Sequence, residues 1–282
     1  MGAPWLSGWT ADDPIVLGSV FVGHDGGEWV REQPFLERRD LGLAALSDGK
    51  LGAAHLRIVG GEPIFVDWHC WDLDFELFFV LKGSLTVDTE RGESHTLGPG
   101  GSGYQPGLYW HRSHMSPDFE CVLVTGPASG DGFTDRAAPL PSRAATLDPG
   151  RNGVYTLDRP DAYTKTDGPG FRARDLGAAD PTGGRIGATL YRANAPGDGS
   201  GWHAHTSAQW VFVLEGETEI AVESAGAGGG APQRLLPGAA LAIGTSARHA
   251  QGAFGGDYAM LSLMLPARFE TAHLDAPTGV AL

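Results

Sequence analysis

The sequence predicts an all-β protein made of two tandem antiparallel barrels of jelly-roll type. Its 282 residues include 43 Gly and 19 Pro, a composition that favours tight turns and short strands over long helices. Its apolar runs are short and bounded by glycine, as in Leu77 to Leu81, Ser84 to Asp88, Cys121 to Thr125, Trp210 to Leu214, Glu219 to Val222 and Tyr258 to Leu265. The first half also recurs in the second. Arg39-Asp40-Leu41-Gly42 returns as Arg174-Asp175-Leu176-Gly177, and Gly49-Lys50-Leu51-Gly52-Ala53 as Gly184-Arg185-Ile186-Gly187-Ala188, both 135 positions on, with Arg57 matching Arg192 without a gap. A duplication at that distance gives two copies of one unit, each long enough to bury a core of its own.

Taken in order, residues 1 to 38 hold Trp5, Trp9 and Trp29 among Gly, Pro and Asp, with no periodicity beyond the short run from Ile15 to Val22. They read as an arm, expected to cross to the second barrel. The first copy runs from Arg39 to Thr125. A linker rich in Pro, Asp, Gly and Ala follows, roughly Gly126 to Gly170, with one strand candidate at Val154 to Leu157. The second copy runs from Arg174 to Leu265. The expected domains are residues 1–145, an arm plus barrel, and residues 146–282. The repeat continues through Trp68-His69 against Trp202-His203, Glu76 and Gly83 against Gln209 and Gly216, and Gly100 and His111 against Gly238 and His249. The offset widens where the second copy holds Ser224 to Gly230, a glycine-rich stretch read as a hairpin tip. A phosphate cradle would need a helix start after it, and Pro232-Gln233-Arg234-Leu235 is not one.

The formal charge of −14 argues against nucleic acid and anionic membrane surfaces as partners, since both would be repelled. The first thirty residues have neither a basic region nor an apolar one of leader type, and no run of eighteen apolar residues occurs, so a cytoplasmic protein is expected. Cys70 and Cys121 are too few for a disulfide framework and read as free buried thiols. A small-molecule substrate is the expected partner. The oligomeric state stays open, with a homodimer as the form considered.

The chemistry concentrates in Trp202 to Gly216, WHAHTSAQWVFVLEG. On a strand alternate side chains share a face, so His203 and His205 point the same way and can grip one metal ion. Gln209 follows in H-x-H-x3-Q spacing, and His249 closes a G-x5-G-x4-H pattern begun by Gly238 and Gly244. This combination resembles the cupin family, whose motifs are G-x5-H-x-H-x3,4-E-x6-G and G-x5-P-x-G-x2-H. The resemblance covers both repeat copies and implies a two-barrel, metal-dependent protein with His203, His205, Gln209 and His249 as metal ligands. Gln209 departs from the family's glutamate and Gly244 from its proline. In the first copy Trp71 stands where His205 does, leaving His69, Glu76 and His111 as a second, degenerate metal site. Two imidazoles and a carboxylate are the composition of an Fe(II) facial triad, but a tryptophan at a ligand position fills the space a water or substrate would need. A register shifted by one residue would put Cys70 and Asp72 on the Glu76 face, at the loss of the Trp-His match.

Three neutral imidazoles and a neutral amide leave a divalent ion its full charge, which suits an anionic chelating substrate such as an enolate, a phenolate beside a carbonyl, or a hydroxy acid. Fe(II) is favoured, with Zn(II), Mn(II) and Ni(II) as alternatives. Three readings follow: a dioxygenase, a non-redox isomerase, lyase or polyketide cyclase, and a non-enzymatic small-molecule-binding barrel. No general base is assigned. Tyr191, Arg192 and Ser207 are candidates for the pocket wall. Glu215 and Glu217 read as solvated, Trp202 and Trp210 as core, His55, His95 and His114 as exposed or packing residues, and His24 and His273 as arm residues to which no role is assigned.

Overall fold

The computed structural model describes residues 20–148, 150–165, 170–223 and 231–276. The chain forms two compact units, one built on Glu28–Asp158 and the other on Arg159–Leu282 with a segment ending at Gly27. Among the described residues each unit holds a seven-stranded and a five-stranded sheet. Among the described residues no helix is long and apolar enough to cross a membrane.

In the first unit the larger sheet runs Val154–Thr156, Ser102–Pro106, Phe75–Lys82, Glu120–Gly126, Gly52–Ile58, Leu36–Asp40, Trp29–Gln33. The smaller runs Gly132–Phe133, Ile64–Trp71, His111–Met115, Leu85–Thr89, Ser94–Leu97. In the second unit the larger sheet runs Val20–Val22, Ala240–Ile243, Ala208–Glu215, Ala259–Leu265, Gly187–Ala193, Phe171–Asp175, Thr164–Lys165. Its smaller sheet runs Gln233–Leu235, Thr218–Val222, His249–Gln251, His203–His205, Thr271–His273. The named pairings are antiparallel, and the repeat-related strands take the same places in both units, so the duplication seen in the sequence is a duplication of the fold.

Strand alternation builds each core between its two sheets. Phe78 and Val80, two apart on Phe75–Lys82, meet Leu85 and Val87, two apart on Leu85–Thr89. Val213, Leu241 and Ile243 meet Ile220 and Leu235 in the second unit. Trp210 is wholly buried and Trp202 nearly so, as expected of core residues. The glycine that closes each first motif is required by the backbone: Gly83 and Gly216 have φ of 67° and 66°, left-handed values that side chains disfavour. A Cβ on Gly216 would lie 2.8 Å from the Tyr258 backbone.

The leading strands are exchanged. Val20–Val22 of the arm adds to Ala240–Ile243 in the second unit, and Val154–Thr156 of the linker adds to Ser102–Pro106 in the first. Residues 146–158, grouped by the sequence with the second domain, therefore lie in the first unit, and the Val20–Val22 strand lies in the second. Trp29–Gln33 and Leu36–Asp40 stay with the first unit, Leu36–Asp40 pairing with Gly52–Ile58 and Trp29–Gln33 forming the edge. The linker also turns back there as a short 3-10 helix, Ser142–Thr146, whose Arg143 donates to Asp72 Oδ1 and to the Leu73 carbonyl. The Ser224 to Gly230 stretch lies outside the described residues.

Candidate metal centre

The short strand His203–His205 lies between His249–Gln251 and Thr271–His273, with His203 directly opposite His249. Strand periodicity puts His203 and His205 on one face, and antiparallel pairing brings in the sequence-distant His249. Ring centroids are 4.2 Å apart for His203 and His249, 4.9 Å for His203 and His205, and 5.1 Å for His205 and His249. One ligand nitrogen from each of the three falls within 4.8 Å of the others.

Hydrogen bonds fix which nitrogens face inward. Nδ1 of His203 meets the Gly201 carbonyl at 2.8 Å and Nδ1 of His249 the Ala247 carbonyl at 2.9 Å. A carbonyl only accepts, so Nδ1 carries the proton and Nε2 keeps its lone pair. Nδ1 of His205 is 3.0 Å from Thr271 Oγ1. Burial, then the charge of neighbouring imidazoles, holds His205 down to about 4 and His249 to about 3, and burial also lowers His203. All three are therefore neutral near pH 7, the state that binds metal. His249 Nε2 is buried without a hydrogen-bond partner, a costly arrangement that an ion bound to that atom relieves. Three convergent neutral imidazoles fit a divalent transition metal.

Gln209 sits on Ala208–Glu215 in the facing sheet and donates Nε2 to Ser262 Oγ at 3.1 Å, leaving its carbonyl oxygen as the atom suited to a cation. Of the other wall candidates, Arg192 is bound to Tyr163 and Glu215, Ser207 donates to the Arg268 carbonyl, and Tyr191 packs on Phe171. Three residues near the centre escape sequence reading. Thr271 holds His205, the Phe269 ring is 5.1 Å from the His205 ring, and His273 lies opposite His203 with ring centroids 6.5 Å apart. They come from a C-terminal segment beyond both motifs, and no spacing in the sequence signals that it pairs with the histidine strand.

The first unit repeats two thirds of this arrangement. His69 lies opposite His111 with ring centroids 4.2 Å apart, and both Nδ1 atoms meet backbone carbonyls, of Asp67 at 2.8 Å and Tyr109 at 3.0 Å. Trp71 occupies the third position, 39% exposed, its ring 6.3 Å from His69. Cys70 is fully buried against Leu108 and Trp110, and Asp72 binds Arg143, so neither joins the histidines. Glu76 lines the same interior, where burial alone raises its carboxyl to about 7. Among the described residues, His203, His205 and His249 form the group of three such donors. His69 and His111 lie side by side, and Glu76 projects from the facing sheet as Gln209 does, outside the close group of three donors found in the second unit.

No family profile matches the sequence, and no characterised protein matches it by sequence. The fold, however, is that of known structures. Oxalate decarboxylase from Bacillus subtilis superposes with a TM-score of 0.61 at 15% identity over 90% of this chain and 78% of that one. The Lactobacillus farciminis oxalate decarboxylase formate complex gives 0.65 at 14% over 90% and 88%. Procruciferin, the 11S globulin of Brassica napus, gives 0.64 at 13% over 94% and 87%. The fold is thus the tandem cupin barrel, which enzymes and seed globulins share.

Proposed function

We propose that the chain is a metal-dependent enzyme whose centre is His203, His205 and His249 with Gln209, and that it adds dioxygen to a small, chelating, oxygen-rich organic anion. The observation that carries this reading is a convergent trio of neutral imidazoles with no carboxylate among them, one nitrogen of which is buried and unsatisfied. When bound there, a divalent ion, Fe(II) in this reading, supplies Lewis acidity toward a chelating anion and electrons toward O2. The chain's own residues hold and shape the site. The Gly201 and Ala247 carbonyls lock two imidazoles, Thr271 locks the third, and the Phe269 ring walls off one side. Gln209 contributes a neutral oxygen, which keeps the site attractive to an anion. It cannot take up a proton, so the substrate is one that arrives already ionised or whose proton is acidic.

The fold likeness to oxalate decarboxylases, of which the Bacillus subtilis enzyme has Mn(II) centres, supports a divalent metal and a small oxygen-rich acid as substrate. It also favours a second reading, a non-redox lyase, isomerase or cyclase using Mn(II), Zn(II) or Ni(II). The globulin likeness keeps a non-enzymatic binding role in view. The separating experiment is turnover of Fe(II)-loaded and Mn(II)-loaded protein on β-diketones, dihydroxy-aromatics and hydroxy acids, with and without O2. The dioxygenase reading expects one O2 consumed per product and none formed anaerobically. Equal anaerobic conversion would hand the site to the second reading, and no conversion of any compound would support a binding role.

A further inference from the structure

The first unit contains a cavity of about 710 Å³, within the size range of small-molecule pockets. Its walls are mostly apolar, with Leu36, Leu56, Phe78, Val87, Phe119 and Leu123 among them. Polar residues are the minority of the lining, and those on the strands around the interior include His69, His111, Glu76 and Gln105. The duplication provides an internal control on whether this space is incidental. Leu56 pairs with Cys121 as Tyr191 pairs with Met260, Leu36 with Ile58 as Phe171 with Ala193, and Phe119 precedes its strand as Tyr258 does. Where the first unit has Leu36, Leu56 and Phe119 lining a cavity, the second has Phe171, Tyr191 and Tyr258. Phe171 packs there at 6.3 Å from Tyr191, 6.2 Å from Tyr258 and 4.5 Å from Phe254, with Tyr258 wholly buried. The two copies thus differ in this region, one setting packed aromatic rings where the other sets Leu36, Leu56 and Phe119 beside a cavity.

The polar groups define what fits. His69 and His111 each give their Nδ1 proton to a backbone carbonyl, leaving Nε2 as an acceptor. Gln105 donates to the Tyr155 hydroxyl at 3.0 Å, leaving its carbonyl oxygen as an acceptor. Arg38, a cation on the wall, is engaged with Glu32 at 3.1 Å. Such an interior favours a hydroxyl donor on an apolar body and penalises a buried anion, which would lack a free cation. We propose that the first barrel is a second, metal-independent binding site for a neutral hydroxylated ligand with an apolar, aromatic-sized body, its hydroxyl meeting the His69 and His111 acceptors. This proposal stands apart from the reading of the second barrel and does not depend on it.

The test uses the full-length protein treated with chelator and three probes of equal frame, 1-naphthol, naphthalene and 1-naphthoate, with binding followed by calorimetry. The expected result is one 1-naphthol per chain, bound at least about tenfold tighter than either other probe, in line with one hydrogen bond to a buried site. Leu123→Trp should abolish that binding by filling the cavity. Ser113→Phe, which fills the cavity from the opposite sheet, serves the same purpose if Leu123→Trp fails to fold. His205→Ala, in the other barrel, should bind 1-naphthol as the wild type does. Absence of saturable binding, tighter binding of 1-naphthoate, full binding by a folded cavity-filled variant, or loss of binding in His205→Ala would each overturn the proposal.

Discussion

At the scale of single residues, the same side chain type does different work according to what surrounds it. His203, His205 and His249 are kept neutral by burial and by one another, and each has its outer nitrogen tied back to the protein. Glu76 and Gln209 occupy matching positions, yet one is a carboxyl raised to about 7 by burial and the other an amide bound to Ser262. Because the folded-state value of Glu76 lies above its ordinary 4.5, its stabilising contribution is complete below about 4.5 and is lost as pH rises through about 7. Glu76→Gln should therefore unfold at higher denaturant than the wild type at pH 8.5, by up to about 3 kcal/mol, and show no such gain at pH 4.5. A pH-independent difference between the two would contradict this. Gly216→Ala places a side chain in a left-handed turn against the Tyr258 backbone and should cost at least about 1–2 kcal/mol in urea unfolding.

At the scale of elements, strand pairing assembles the centre. The H-x-H spacing puts two imidazoles on one face, and the pairing of His203–His205 with His249–Gln251 supplies the third. This much was legible in the sequence because strand periodicity and motif glycines are local signals. The strand Thr271–His273 was not legible, since its role depends on a long-range pairing that its own residues do not announce. That the first barrel lacks a third imidazole was legible, since Trp71 stands at the position of His205; where Glu76 lies relative to His69 and His111 depends on distance across the barrel, which residue type does not report. Thr271→Val should weaken divalent metal binding by about 10- to 100-fold, the usual effect of losing an outer hydrogen bond to a histidine ligand. Competition with a chelator of known affinity measures it, and unchanged affinity would show that Thr271 does not position His205.

For the chain taken as a whole, duplication followed by divergence explains more than either barrel alone. The fold class and the two copies were readable from glycine punctuation and the repeat at 135 positions, because these reflect backbone geometry that both copies must satisfy. The limit at residue 145 was not, because Val154–Thr156 of the linker joins the first unit's sheet through a pairing distant in sequence. Divergence has acted on the interiors: one barrel keeps three convergent imidazoles, and the other puts Trp71 at the third position and keeps an apolar cavity. The central claim is that the metal belongs to the second barrel. Elemental analysis of protein purified without chelator, for the wild type, His69→Ala and His205→Ala, tests it most directly. One equivalent of transition metal per chain is expected in the wild type and in His69→Ala, and little in a folded His205→Ala; full occupancy in His205→Ala, or loss of the equivalent in His69→Ala, would contradict it.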